Sequence, residues 1–333
     1  MNLKYLKGVN LGGWLLLEKW ITPSLFLGYD ADDEYSFSAV DALSREGRLD
    51  NHRNTFIKKT DIFWLKEHGY NAVRLPVGYW AAQDDTPYVN CLKYIDRAFS
   101  WSEAAGLKVL LDLHGAAGSQ NGLDHSGRKG SVRWSQPQNL RRTLRALEEL
   151  ADRYSKSPAL WGISLVNEPA AKLALKSIRR FYRQAYGIVR NHVSEDVAIV
   201  ISDAFKPSSW DKFMVSPDYE FVVLDMHLYQ CFSGKDKALD IEQHIKKAED
   251  EWKRLINERA REVIVGEWSL GLEPSTFEGM GPQKIRASLK SYASAQQDAF
   301  KAGRGDFFWN YKTEASSSWN LRYLVEAGIL VPQ

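Results

Sequence analysis

Two cysteines, Cys91 and Cys231, are all that 333 residues contain. So few exclude a disulfide framework and any CxxC or Cys/His zinc module, and leave open one bridge between the two. No apolar run approaches the ~20 residues of a membrane-spanning helix. Charge of one sign is also missing, since 44 Lys plus Arg face 42 Asp plus Glu. So even a balance calls for neither nucleic acid nor an anionic membrane. No basic stretch followed by an apolar core precedes the first strand-like run, so no signal peptide is read. The chain as written is expected in the cytoplasm, and outside the cell if a leader was trimmed from it. A Gly-rich phosphate turn is absent too, because Gly12-Gly13 leads into Trp14.

Aromatic residues are plentiful, with 12 Trp and 15 Tyr. Flat rings with polar edges serve a core, and they equally serve as platforms for sugars. Strand-like apolar runs at 6–10, 72–76, 108–112, 160–167, 197–202, 221–227, 262–266 and 305–309 alternate with helical patterns. The helices are expected over 60–67, 93–105, 140–154, 178–191, 241–261 and 285–302. Strands apolar on both faces and alternating with helices imply a parallel sheet. Eight such units without a linker predict an α/β fold, a closed (β/α)₈ barrel forming one domain over 1–333. Three long loops, 14–53, 115–138 and 270–281, all follow the carboxyl ends of strands, where barrel sites are built.

Polar residues gather at those same ends. Arg74 closes the second strand, Asp112 and His114 the third, and Asn167-Glu168-Pro169 the fourth. Asp225, His227 and Tyr229 follow the sixth strand, Glu267-Trp268 the seventh, and Trp309-Asn310 the eighth. A single one would pass as a satisfied core group. A ring of them costs burial energy at every position, which points to function. Two glutamates converging from different strand ends are the minimum equipment for cutting a glycosidic bond. Glu267 is then the nucleophile, kept ionised by Arg74 and the hydroxyl of Tyr229. Glu168 is the acid/base, its pKa raised by the nearby charge of Glu267 and tuned by His227. Asn167 is placed to bond the sugar 2-hydroxyl, and Trp309 to lie under the ring. The carboxyls are expected ~5–5.5 Å apart, the spacing of retention. The Asp112/His114 and Asp225/His227 pairs raise metal hydrolysis as a remote alternative. That reading wants a His-x-His after the first strand, where Asn10-Leu11-Gly12-Gly13 stands instead. Neither a metal nor any other cofactor is expected.

These segments are recognisable together. Gly8 to Leu15, Glu18 to Phe26, Arg74 to Trp80, Asp112 to Gly122, His227 to Gln230 and Phe307 to Lys312 occur in order. In this the chain resembles glycoside hydrolase family 5, and within it the exo-β-1,3-glucanase type, over nearly its whole length. The resemblance implies Glu168 as acid/base and Glu267 as nucleophile. It implies Arg74, His114, Asn167, His227, Tyr229 and Trp309 around the cleaved sugar. It also implies Glu18 on the terminal glucose, with Asp124 nearby, closing one end of the cleft into a pocket.

Two departures stand out. The fungal members carry Phe before the aspartate of the third-strand loop, as partner to a residue matching Phe232; here that position is Leu123. The shortage of cysteine is also unlike a secreted wall enzyme. The expected function is retaining hydrolysis that removes terminal glucose from β-1,3-glucans or oligosaccharides. An intracellular β-glucosidase for glucosides with an apolar aglycone is the alternative, and a barrel that binds glycans without cutting them is a third. Carbohydrate is the one partner called for, and a monomer is expected.

Overall fold

The computed structural model describes residues 5–331. The eight strands are β1 (Leu6–Asn10), β2 (Ala72–Gly78), β3 (Lys108–Gly115) and β4 (Leu160–Ser164), then β5 (Ala198–Ser202), β6 (Val222–His227), β7 (Val263–Trp268) and β8 (Gly305–Phe308). Each pairs in parallel with the next, and β8 closes on β1. The expected (β/α)₈ barrel is therefore present, with no edge strand left to protect.

Two separate apolar clusters show how the strands are read. Val109, Leu111 and Leu113 of β3 belong to the large cluster shared with the surrounding helices, whereas Leu110 packs with Ala72, Val223, Ile264 and Phe307. Successive side chains of a strand point to opposite faces. Positions in phase with Leu110 therefore point into the barrel, and those are Asp112 and His114. The same phase carries Ala72 to Arg74, and Val223 to Asp225 and His227. The two Asp-x-His pairs are thus one consequence of period two: an apolar plug at the bottom, a charged layer above it and the site on top.

Helices cover the outside: α1 (Glu34–Ser44), α2 (Arg48–Thr55), α3 (Lys59–Glu67), α4 (Leu92–Ala105), α5 (Pro137–Tyr154), α6 (Leu175–Arg190), α7 (Ile241–Lys247), α8 (Lys253–Asn257), α9 (Pro282–Phe300) and α10 (Leu321–Glu326). Among the described residues no helix is long and apolar enough to cross a membrane. Cys91 and Cys231 are free thiols.

Three expectations need correction. The fourth strand ends at Ser164, not Asn167; beyond it only single bonds to the flanking strands continue, Leu165 N–H to the carbonyl of Val200 and Asn167 N–H to that of Leu113. The single helix over 241–261 is two helices joined by a π segment, Ala248–Trp252, in which Trp252 stacks on Phe300 at 5.7 Å. The first long loop contains α1 and α2. Asp33 caps α1 through the backbone N–H of Ser36, and Leu17, Phe26, Phe37 and Leu49 form a satellite core beneath. Glu34 is buried there against Arg53 at 2.7 Å, and accepts the N–H of Leu17 at 2.8 Å. That anchoring fixes the segment carrying Glu18.

Candidate active site

Arg74 organises the charged layer. Its guanidinium is fully buried and reaches four strand ends at once. Nη1 donates to Oε1 of Glu267 at 2.8 Å and to Oδ1 of Asn10 at 2.9 Å. Nη2 donates to Oδ1 of Asn167 at 2.8 Å and lies 3.0 Å from Asp112 and 3.9 Å from Asp225. A buried guanidinium with so many carboxylates stays charged. One glycine makes room for the layer. The backbone N–H of Gly266 donates to Asp225 at 2.8 Å, and a Cβ there would come within 2.1 Å of that carboxylate.

Glu267 sits at the carboxyl end of β7, as expected. A register shift after Met226 sets His227 directly opposite it, a bulge that re-aims a side chain. Tyr229 donates its hydroxyl to Oε2 of Glu267 at 3.0 Å, and His227 Nδ1 lies 3.5 Å from the same oxygen.

Glu168 is held from outside the sheet. Its backbone adopts φ 40°, a left-handed conformation uncommon for a residue with a side chain. The β3 loop clamps it there: Gln120 Nε2 donates to Asn167 O at 2.9 Å, Asn121 Nδ2 donates to Glu168 O at 3.3 Å, and Ala170 N–H bonds Gln120 O. The carboxyl turns back over the barrel, where Oε1 meets His227 Nδ1 at 2.6 Å. Oxygens of Glu168 and Glu267 and a nitrogen of His227 all lie within 4.8 Å of one another. Arg74 and His227 already supply positive charge to that cluster.

The order of the two carboxyl pKa values reverses the expectation. Burial alone would raise Glu168, but the hydrogen bond and charge of His227 outweigh it and hold the carboxyl below the usual range. Burial raises Glu267 by more than the charges of His227 and Arg74 lower it. Burial opposes charge on His227 as well, yet Glu267, Asp225 and Glu168 surround it and lift its pKa well above 6.5. At Glu168 the imidazolium 2.6 Å away outweighs the repulsion expected from Glu267.

Trp309 and His114 form one wall, stacked at 5.5 Å with 14° between their planes. Nδ1 of His114 lies 2.7 Å from Asp112, and Nε2 lies 3.3 Å from Nδ2 of Asn167. Every site residue expected from the sequence is accounted for. Arg74, Asn167 and His227 make the buried frame, while Glu18, His114, Asp124, Glu168, Tyr229, Phe232, Glu267 and Trp309 line one cavity of about 580 Å³. Glu18 is buried and accepts the indole N–H of Trp20 at 2.8 Å. Burial, with the charges of Asp124, Glu267 and Glu168 behind it, raises its pKa well above 4.5 against that one hydrogen bond.

Trp20, His125, Phe205 and Trp319, none of them expected as site residues from the sequence, line the same cavity. Trp319 packs on Trp20 at 5.7 Å and on Tyr229 at 5.4 Å. Phe205 projects from a left-handed turn after β5, φ 59°, whose N–H is held by Asp203 at 2.8 Å. The available signal for all four was an aromatic ring in a loop at the carboxyl end of a strand. Leu123, Phe205 and Phe232 are 51%, 54% and 70% exposed, so three apolar side chains rim the mouth.

The model of the family "Cellulase (glycosyl hydrolase family 5)" matches residues 40–311. A glucan 1,3-beta-glucosidase of Blumeria graminis is 38% identical, over 100% of this chain and 88% of that protein. One of Lachancea kluyveri is 35% identical, over 100% and 87%. The crystal structure of rutinosidase from Aspergillus niger superposes with a TM-score of 0.86 at 20% identity, covering 98% of this chain and 97% of that one, a likeness of fold. With the family match spanning most of the chain and the relatives spanning all of it, the protein belongs to glycosyl hydrolase family 5 and is a glycoside hydrolase.

Proposed function

We propose that the protein removes terminal glucose from β-1,3-glucans or their oligosaccharides with retention of configuration. One observation carries this. Two carboxyls, that of Glu267 buried and that of Glu168 partly so, have oxygens within 4.8 Å of each other and share a cavity with the ring of Trp309 and with Glu18. That spacing suits a nucleophile rather than a base acting through water, which needs roughly 6.5–9.5 Å. Glu267 attacks the anomeric carbon while Glu168 protonates the leaving oxygen; water then reverses both roles. In the form that reacts, the Glu168–His227 pair carries its proton on Oε2 of Glu168, while Nδ1–H of His227 donates to Oε1. Both relatives bear the name glucan 1,3-beta-glucosidase, which supports the polymer.

Digestion of laminarioligosaccharides tests the pocket. Glucose alone among early products is expected, and a ladder of mid-length fragments would show an open cleft. Glu18→Ala should lower kcat/KM by roughly 10–100-fold, the loss of hydrogen bonds to a sugar hydroxyl. Leu123→Phe should shift preference from aryl glucosides towards longer β-1,3-glucans. The apolar rim favours a second reading, glucosides with an apolar aglycone, so alkyl and steryl glucosides belong in the same panel.

The pH profile follows from the charges. Activity needs Glu267 ionised, and burial raises its pKa. The acid limb of kcat/KM is therefore lost as pH falls through a value above 4.5. The alkaline limb is lost as pH rises and the Glu168–His227 pair gives up its proton, above the ordinary 6.5 of histidine. An acid limb below the ordinary carboxylate value, read with an unactivated substrate, contradicts the assignment.

A further inference from the structure

Glu168 has two oxygens, and they have different neighbours. Oε1 is engaged by His227 Nδ1 at 2.6 Å. Oε2 is therefore the oxygen left to exchange a proton with substrate. Facing it is Nε2 of His125, at 3.6 Å. That distance is too long for a hydrogen bond between the two. It suits two groups that grip one further atom, since an oxygen ~2.8 Å from each fits over such a gap. Both side chains line the cavity, with Leu123 and Phe205 on the same rim.

His125 is not loosely held. It sits in the short 3-10 turn Asp124–Ser126, after Leu123 and before Gly127, whose φ is 85°. Ser126 anchors the turn, its hydroxyl 2.7 Å from that of Ser119 and donating to Leu123 O at 2.7 Å. The imidazole edge meets His114 at 5.6 Å, and His114 in turn stacks on Trp309. The ring makes no hydrogen bond of its own among the described residues. Burial disfavours its charged form, which leaves a neutral ring able to donate one N–H.

We infer that His125 is a further catalytic residue, whose Nε2–H donates to the same glycosidic oxygen that Glu168 protonates. The inference rests on the retaining reading above. In the first step Glu267 bonds to the anomeric carbon and the bond from that carbon to the leaving oxygen breaks. The electron pair stays on the leaving oxygen and takes the proton from Oε2. His125 transfers no proton; it holds the second lone pair of that oxygen, and afterwards orients the attacking water beside Glu168. Its contribution grows with the negative charge the leaving oxygen develops.

A leaving-group series separates this from a packing role. The substrates are methyl, phenyl, 4-nitrophenyl and 2,4-dinitrophenyl β-glucosides, with wild type, His125→Ala and His125→Gln compared. His125→Ala is expected to lower kcat/KM for the phenyl and methyl glucosides by ~10–100-fold, and for the dinitrophenyl glucoside by less than ~3-fold. His125→Gln keeps a donor at this position and is expected to recover most of the loss. An equal loss across the series, or no loss, overturns the inference. So does failure of the glutamine variant to recover while its melting temperature matches wild type. Wild-type turnover of the dinitrophenyl glucoside reports on the β-glucosidase reading in the same plate, and its absence would overturn that reading and this inference together.

Discussion

Glu267→Ala is expected to abolish glucoside hydrolysis, lowering kcat on the order of 10⁴–10⁶-fold, as removal of a covalent nucleophile does. The fold should survive, because Arg74 keeps Asp112 at 3.0 Å, Asp225 at 3.9 Å and the amide oxygens of Asn10 and Asn167. Burial disfavours the charge of Glu267, so its removal also relieves a penalty. A melting temperature within ~5 °C of wild type is the control. Azide should then enter the space of the missing carboxyl and attack from that face. Glu168 is still present to protonate the leaving group, so the product is α-glucosyl azide. NMR of the anomeric proton reads the outcome directly. β-Glucosyl azide from this variant would mean that Glu267 is not the nucleophile.

Glu168→Ala should fail in a different way. Natural substrates need a proton for the leaving oxygen, and their kcat/KM is expected to fall ~10²–10⁴-fold. A dinitrophenyl leaving group needs none, so the glucosyl-enzyme still forms. Without a base to activate water it accumulates, giving a burst followed by a slow steady state. Azide needs no base, and should accelerate that steady state and yield β-glucosyl azide. His227 loses its closest carboxylate partner at the same time. Its pKa should move down, and the alkaline limb of any residual activity with it. Equal loss on every substrate, unresponsive to azide, would reverse the roles of the two glutamates.

The barrel and its frame were legible because they obey periodicity. An apolar run fixes a strand, and the phase of that run fixes which residues point inward. Arg74, Asp112, His114, Asp225 and His227 follow from that rule, whereas Glu267 is one place out of phase with Ile264 and reaches the site through the register shift between β6 and β7. The loops obey no period. His125 and Phe205 reach the cavity through left-handed turns and hydrogen bonds to Ser119, Leu123 and Asp203, which one-dimensional spacing does not encode. The helices of the first loop did leave a sign, the Asp33–Ser36 cap, but a polar stretch without a strong apolar stripe hid it. Charge order was the hardest part to read. It depends on whether His227 lies nearer Glu168 or Glu267, a difference of 2.6 against 3.5 Å.

Left-handed backbone at Glu168 carries a consequence for how the activity persists over generations. A side chain at φ 40° costs about 1–3 kcal/mol that glycine would not. The strand, the proline and the Gln120–Asn121 clamp around it are indifferent to what position 168 bears. Drift to glycine there would relieve that backbone cost and forfeit both the 2.6 Å bond to His227 and the chemistry. A barrel without that side chain would keep the rest of its cavity lining and no longer cut what it holds. The strained glutamate is thus explained by what its carboxyl does and by nothing the backbone gains from it.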